Sequence, residues 1–413
     1  MPVLLQSLRI IDSEKIHSPK DFILYDNKVL PADESLKLDF EEIIDCSDFL
    51  ASEGWVDLRC SSGEPGDEYK ETLESLGELL AFSGFTKAVI MPNTKPVFQN
   101  KNDIQFFKAK TAQWLTDPII QTAVTKDALG EDFTDILDLN AQGVFVFGDG
   151  INPLSNPDRL MKSLQYLQKF DGVLFDHPYE PLLALFGQMH EGNISTRIGM
   201  KGIPNLAEDV AVQKNLEILK YTGGRLHFQT LSSKDAIHKV RLAKEEGLHV
   251  TADVSLYQLI FTDEDLITFD PNFKVLPPFR SEEDRKALIE GLKDGTIDAI
   301  VSNHQPEDFD AKHMEFDLAH FGMIGLQTFL PAMVKLSEEI GWSLLISKIT
   351  KGAKHVLGID SEGMESLTVF SPDEEWVYDK KTNISLSANH PWMGDTLKGK
   401  VKFVYNKGKL AKF

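Results

Sequence analysis

A TIM-type barrel of eight parallel strands, with connecting helices and a small β-sandwich beside it, is the fold that this α/β sequence predicts. Three observations predict it. From residue 54 onward, short apolar runs alternate with amphipathic helical stretches. Both ends carry short strand candidates and turns with no sustained helical period. The 413 residues are too many for one small core and suit a large barrel with an appended domain. The expected division is 1–53 as the first part of the sandwich, 54–362 as the barrel, and 363–413 as the second part of the sandwich.

The N-terminal part offers strands at 4–11, 21–25 and 28–30. Trp55–Cys60 is the first barrel strand, and it runs into a polar loop closed by Gly63, Pro65 and Gly66. A helical pattern over 69–82 and an apolar strand over 86–91 complete one βαβ unit. Further strands are expected at 119–122, 143–147, 173–176, 226–230, 249–255 and 299–302. The helices between them fall at 158–169, 207–222, 233–246 and 282–293. The C-terminal part returns to short strands at 367–370, 375–378 and 400–405. An open doubly wound sheet shares this rhythm, but no glycine-rich nucleotide loop follows the first strand. In a barrel, chemistry belongs to the loops at the carboxyl ends of the strands.

The net charge is −21, which argues against nucleic acid and anionic membranes as partners. Two cysteines make no disulfide framework and suit a reducing compartment. The start, Met-Pro-Val-Leu-Leu-Gln-Ser, lacks the basic region and apolar core of a signal peptide, and no apolar run is long enough to span a bilayer. A cytoplasmic protein is expected. No Gly-x-Ser-x-Gly, phosphate loop or Cys-x-x-Cys occurs.

Asp57, Leu58, Glu64, Pro65 and Gly66 keep the frame of Asp-Leu-His-x-His-Leu-Arg-Glu-Pro-Gly. That stretch resembles the signature of dihydroorotases and related cyclic amidohydrolases. The resemblance extends along most of the chain. It includes Met91-Pro92-Asn93-Thr94, His190-Glu191-Gly192, Gly202-Ile203-Pro204 and Ala207-Glu208-Asp209. Later matches are Pro277-Pro278-Phe279-Arg280-Ser281, with Leu276 in place of an asparagine, and Asn389-His390-Pro391-Trp392. Together these are highly specific, though no single one is.

The resemblance implies a barrel of the metal-dependent hydrolase kind, binding Zn²⁺ through residues at the strand ends. Here the two signature histidines fall on Arg59 and Ser61, and the substrate arginine falls on Gly63. A later ligand position is Thr230, and the position of the catalytic base is Asn303. Only His177 and Asp149 remain as metal candidates, with Asp149 ambiguous in register by one residue. His227 survives at a position that is not a ligand, and Cys60 points away from the face that Arg59 and Ser61 share. Zinc needs three or four Cys, His or carboxylate donors. An amide such as Asn303 does not titrate near neutrality, so no catalytic base is assigned. The candidate substrate contacts are Asn93, Arg280 and Glu307, of which Glu307 would repel an anion.

Arg59 has two readings: a guanidinium replacing the metal and paired with Asp149, which is favoured, or an arginine reaching into a wet loop. The run Asp373-Glu374-Glu375 is expected to be a solvated turn. His304, His313 and His320 are expected to be solvated loop histidines, with a new metal site as the alternative.

The resemblance thus implies a dihydroorotase-like protein of pyrimidine biosynthesis that has lost its catalytic centre and takes no cofactor. Such a protein would serve as a structural or regulatory partner of aspartate transcarbamoylase or of an active dihydroorotase, with a homodimer as a further option. Two alternatives stay open. One is an active Zn-dependent cyclic amidohydrolase with a divergent site, and the other is a small-molecule binding module using the old pocket.

Overall fold

The computed structural model describes residues 2–32, 39–359 and 363–413. The expected end of the barrel at 362 lies outside the described residues. The barrel strands are β1 (Trp55–Cys60), β2 (Phe85–Ile90), β3 (Asp117–Thr122), β4 (Val146–Phe147), β5 (Val173–Asp176), β6 (Arg225–Phe228), β7 (Val250–Ser255) and β8 (Ala299–Val301). They pair in sequence order, all parallel. Every residue of β1, β5 and β8 is buried, including the charged Asp57, Arg59 and Asp176, so these strands show no polar face turned to solvent.

The two faces of the strands feed different cores. Val56, Leu58, Val89, Val146, Val173, Phe175 and Val301 fill the interior, together with Val356 and Leu357 of the helix Lys351–Leu357. Trp55, Ile90, Phe147, Phe228 and Val254 face the surrounding helices. A register shift between Asp57 and Cys60 interrupts the alternation in β1. Arg59 therefore enters the barrel mouth one residue after the interior Leu58, and Cys60 joins the outer core as expected.

The barrel closes between β8 and β1. His304 and Cys60 form a parallel bridge, and Ser61 N donates to His304 O at 2.9 Å. The buried Asp57 carboxylate accepts the Ser302 backbone N–H at 2.9 Å and the Ser302 hydroxyl. Burial pushes Asp57 up to about 7, against those hydrogen bonds.

The terminal strands interleave into one sheet with its own core of Val3, Leu5, Leu8, Leu367, Val369 and Phe403. The strand Val3–Ile10 pairs with Glu42–Asp45 through residues 3–6 and with Leu50–Glu53 through residues 9–10. The register breaks around Ser7, whose φ is 56°. The acidic run corrects the expectation of a solvated turn. Glu374 lies within the strand Leu367–Val377 and pairs with Lys402 at 2.9 Å and Lys400 at 3.4 Å. Among the described residues no helix is long and apolar enough to cross a membrane.

Candidate functional site

The carboxyl ends of the strands surround a cavity of about 360 Å³, lined by Arg59, Ser61, Asn93, His177, Tyr179 and Glu307 among others. Arg59 is fully buried at its inner side. Its Nε donates to Asn303 Oδ1 at 2.9 Å, and its Nη1 donates to Gln229 Oε1 at 2.8 Å and to Gly150 O at 3.4 Å. Burial lowers its pKa to about 10, partly offset by Asp253, Asp57 and Asp176, so it stays a cation at neutral pH. The wet-loop reading of Arg59 therefore fails.

Arg59 and Asp149, expected to meet directly or through a water, make no direct hydrogen bond. Asp149 accepts the backbone N–H groups of Val124 and Thr125, each at 3.0 Å, and the Thr125 hydroxyl. Backbone amides at the end of β3 capture the carboxylate before it can reach the guanidinium. Burial pushes Asp149 up to about 6, and those three donors limit the rise.

Two positions that the resemblance gives to metal ligands face each other. Thr230 Oγ1 lies 3.1 Å from His177 Nδ1. Thr230 has φ 54° and Asn303 has φ 47°, left-handed conformations that are unusual for a β-branched residue above all. The Thr230 N–H donates to Asp253 Oδ1 at 2.6 Å, and Asp253 Oδ2 lies 2.8 Å from His227 Nε2. His227, off the ligand face in the sequence, thus has a structural partner inside the barrel. His177 is pushed down to about 3, chiefly by burial and then by Arg59, so it is a neutral imidazole.

The substrate-side candidates separate. Asn93 lines the cavity, donating to Asp149 O at 3.0 Å and accepting from Ile151 N at 2.9 Å. Glu307 also lines it, but Lys70 pairs with it at 2.9 Å, so the expected bare repulsive carboxylate is corrected. Arg280 stands apart from the cavity. It donates to Ile203 O at 2.7 Å and Ser232 Oγ at 3.1 Å, beside the buried Glu208. At Gly63 a Cβ would lie 2.1 Å from Asp67 O, so this loop admits no side chain where the resemblance puts a substrate arginine. Lys70 and Gln229 are participants that the sequence did not single out.

The expectation for the later histidines is corrected at His304, which is fully buried and accepts the Gly325 N–H on Nδ1 at 3.2 Å. His313 and His320 are exposed, as expected.

A family model described as Dihydro-orotase-like matches residues 50–236. Over 100% of this chain and 99% of its own length, the dihydroorotase of Syntrophus aciditrophicus is 34% identical. The chain belongs to the dihydroorotase family. A dihydroorotase from Aquifex aeolicus is 30% identical over 100% of this chain and 99% of its length. Among solved structures, the L-hydantoinase (dihydropyrimidinase) of Arthrobacter aurescens superposes with a TM-score of 0.87, 21% identity, and coverage of 99% of this chain and 96% of that one. D-hydantoinase from Thermus sp. gives 0.81 at 16% identity, covering 99% and 95%. At these identities the hydantoinases support the fold alone.

The zinc that the dihydroorotase resemblance implies does not fit the residues present. Asp149 spends both oxygens on Val124 and Thr125, and His177 turns Nδ1 to Thr230. Among the described residues no three His, Cys, Asp or Glu side chains are placed to hold an ion. No hydrolytic step through a metal follows from this arrangement.

Outside the cavity lining, His390 sets a pH dependence that can be measured. Trp392 N donates to its Nδ1 at 3.0 Å, so Nε2 carries the hydrogen towards Thr328 Oγ1 at 3.1 Å. Burial pushes His390 down to about 3. The unfolded chain takes up a proton below about 6.5 and the folded one does not. This contribution to stability is complete above 6.5 and is lost as pH falls from there towards 3. Between pH 7 and 5 it should cost roughly 2 kcal/mol. Urea melts at the two pH values should show a smaller acid loss in His390→Gln than in wild type, and equal losses would refute the assignment.

Proposed function

We propose that this dihydroorotase-family protein does not hydrolyse a cyclic amide through a metal centre, and that it acts as a protein partner within pyrimidine biosynthesis. Aspartate transcarbamoylase, or an active dihydroorotase, is the partner that the family resemblance suggests. The observation that carries this reading is the Arg59 guanidinium, hydrogen-bonded to Asn303 and Gln229 across the barrel mouth. Arg59, Ser61, Thr230 and Asn303 supply neither a zinc site nor a titratable base.

Purified full-length protein should carry far less than stoichiometric zinc and should not turn over dihydroorotate. Elemental analysis and a direct hydrolysis assay check this on one preparation. Stoichiometric zinc that disappears in His177→Ala, together with turnover, would sink the reading. Asn303→Asp alone should restore nothing, because base and ligands act as a unit. Affinity capture from the native host with the full chain tests the partner role, and failure to retain either enzyme counts against it.

A second reading is supported by relatives named dihydroorotase at 30–34% identity along the whole chain. On that reading the cavity hydrolyses a cyclic amide with His177, Asp149 and ligands not foreseen. The same assay decides between them.

A further inference from the structure

We propose that a groove beside the helix Leu73–Phe82 docks an amphipathic helix of a partner protein, one whose apolar face is flanked by lysine or arginine. This goes beyond the reading of the barrel mouth and holds whatever the chemistry there, because the groove shares no lining residue with that cavity.

One stripe of the helix forms a wall of the groove. Glu74, Gly77, Glu78, Ala81 and Phe82 all line it, at the spacing of a single helical face. The helix has ten residues, so this wall runs for about 15 Å, roughly three turns of a docked helix. Trp114 and Leu115 line the groove from beyond the helix Lys101–Thr111. A Cβ at Gly77 would lie 2.5 Å from the Trp114 ring, so the missing side chain lets the indole pack directly on the helix. Phe413, on the last strand, sets its ring edge-on to Phe82 with centroids 5.3 Å apart. Phe82, Leu115 and Phe413 are only half-buried, which leaves apolar surface open along a space of about 790 Å³.

The rim gives the partner its sign. The groove is lined by the carboxylates of Glu64, Glu68, Glu74 and Glu78 and by one cation, Lys110. Lys110 pairs with Glu64 at 2.7 Å. It also attracts Glu74 and Glu68 at longer range, but one cation cannot balance these acids. Glu68, Glu74 and Glu78 have no salt bridge among the described residues. Glu74 and Glu78 stand four residues apart on one helix, where like charges repel, and that helix carries no basic residue to relieve them. An amphipathic basic helix answers both features. Its apolar face covers Phe82, Leu115 and Phe413, and its flanking cations meet the three unpaired acids. Nucleic acid is repelled by this rim, and a second copy would bring a chain of net charge −21 to the same acids.

The test follows fluorescence anisotropy of labelled synthetic peptides against the full-length protein. One peptide is a leucine–lysine helix with its leucines on one face. The second has the same composition scrambled so that no apolar face forms, and the third carries glutamate in place of lysine. The leucine–lysine helix should bind at least tenfold more tightly than either. Glu74→Lys combined with Glu78→Lys should weaken it at least tenfold. Glu290→Lys combined with Glu338→Lys makes the same charge change at exposed helical sites outside the groove and should leave binding within about twofold. All four positions are exposed, so both variants should melt as wild type does. Phe413→Ala should also weaken binding, and an unchanged affinity there overturns the apolar contact. The inference equally fails if the scrambled peptide binds as well as the helix, or if the two double variants lose affinity alike, since net charge alone then explains the attraction. Sedimentation of the protein without peptide tests a second copy as the occupant: a dimer that Glu74→Lys with Glu78→Lys dissociates would overturn the partner helix. None of these results bears on zinc content or turnover, so the proposed loss of metal chemistry stands or falls separately.

Discussion

Replacing Asp253 by alanine should destabilise the fold by roughly 2–6 kcal/mol, because two buried groups lose their partner at about 1–3 kcal/mol each. Asp253 is fully buried and serves two groups, the Thr230 N–H at 2.6 Å and His227 Nε2 at 2.8 Å. Alanine leaves both unsatisfied inside the barrel. It also releases the backbone at Thr230, whose φ of 54° must be held by its surroundings. Asp253→Asn keeps an oxygen for the Thr230 N–H, so its cost should be smaller. Denaturant melts of the two variants test the ranking. Two variants within about 0.5 kcal/mol of wild type would show that the pair does not hold the interior, since surface substitutions stay in that range.

Arg59→Met is expected to cost about 3 kcal/mol, from two short hydrogen bonds to a charged donor whose acceptors are left behind. The coupling pattern is the sharper measurement. Asp149 bonds to Val124 and Thr125 and not to Arg59, so Arg59→Met and Asp149→Asn should add in a double-mutant cycle. Gln229 accepts from Arg59 at 2.8 Å, so Arg59→Met with Gln229→Leu should show coupling of roughly 0.5–3 kcal/mol. The reverse pattern would mean that the guanidinium reaches Asp149 in solution.

Sequence reading succeeded where one local signal governs one local structure. Trp55–Cys60 and Val173–Asp176 have the expected limits because short, mostly apolar segments bounded by loop residues mark buried strands. The helix expected from 69 begins at Leu73, because Thr72 caps it by accepting from Ser75 N. The helix Phe329–Ile340 was hidden by Pro331, which is harmless in a first turn where the N–H has no helical partner. Trp342–Ile349 is only eight residues long, too short for its apolar stripe to stand out from a strand pattern.

At the site, residue types were legible and their partners were not. Arg59, Ser61, Thr230 and Asn303 could be placed at the mouth by position alone. That Asp149 would turn to backbone amides depends on the path of the loop after β3, which no side chain announces. The neutralisation of Glu307 depends on Lys70 arriving from a different loop. His304 looked like a loop residue, but the seam between β8 and β1 buries it.

Arg59 bonds from β1 to Gly150 beyond β4, to Gln229 beyond β6 and to Asn303 beyond β8. A bound ion that ties strand ends together stabilises a fold only in proportion to its supply, because its contribution grows with free concentration over the dissociation constant. A guanidinium carried on the chain is present at unit occupancy from the moment of synthesis. The mouth of this barrel is therefore braced by a part that no chelator removes and no shortage of metal depletes.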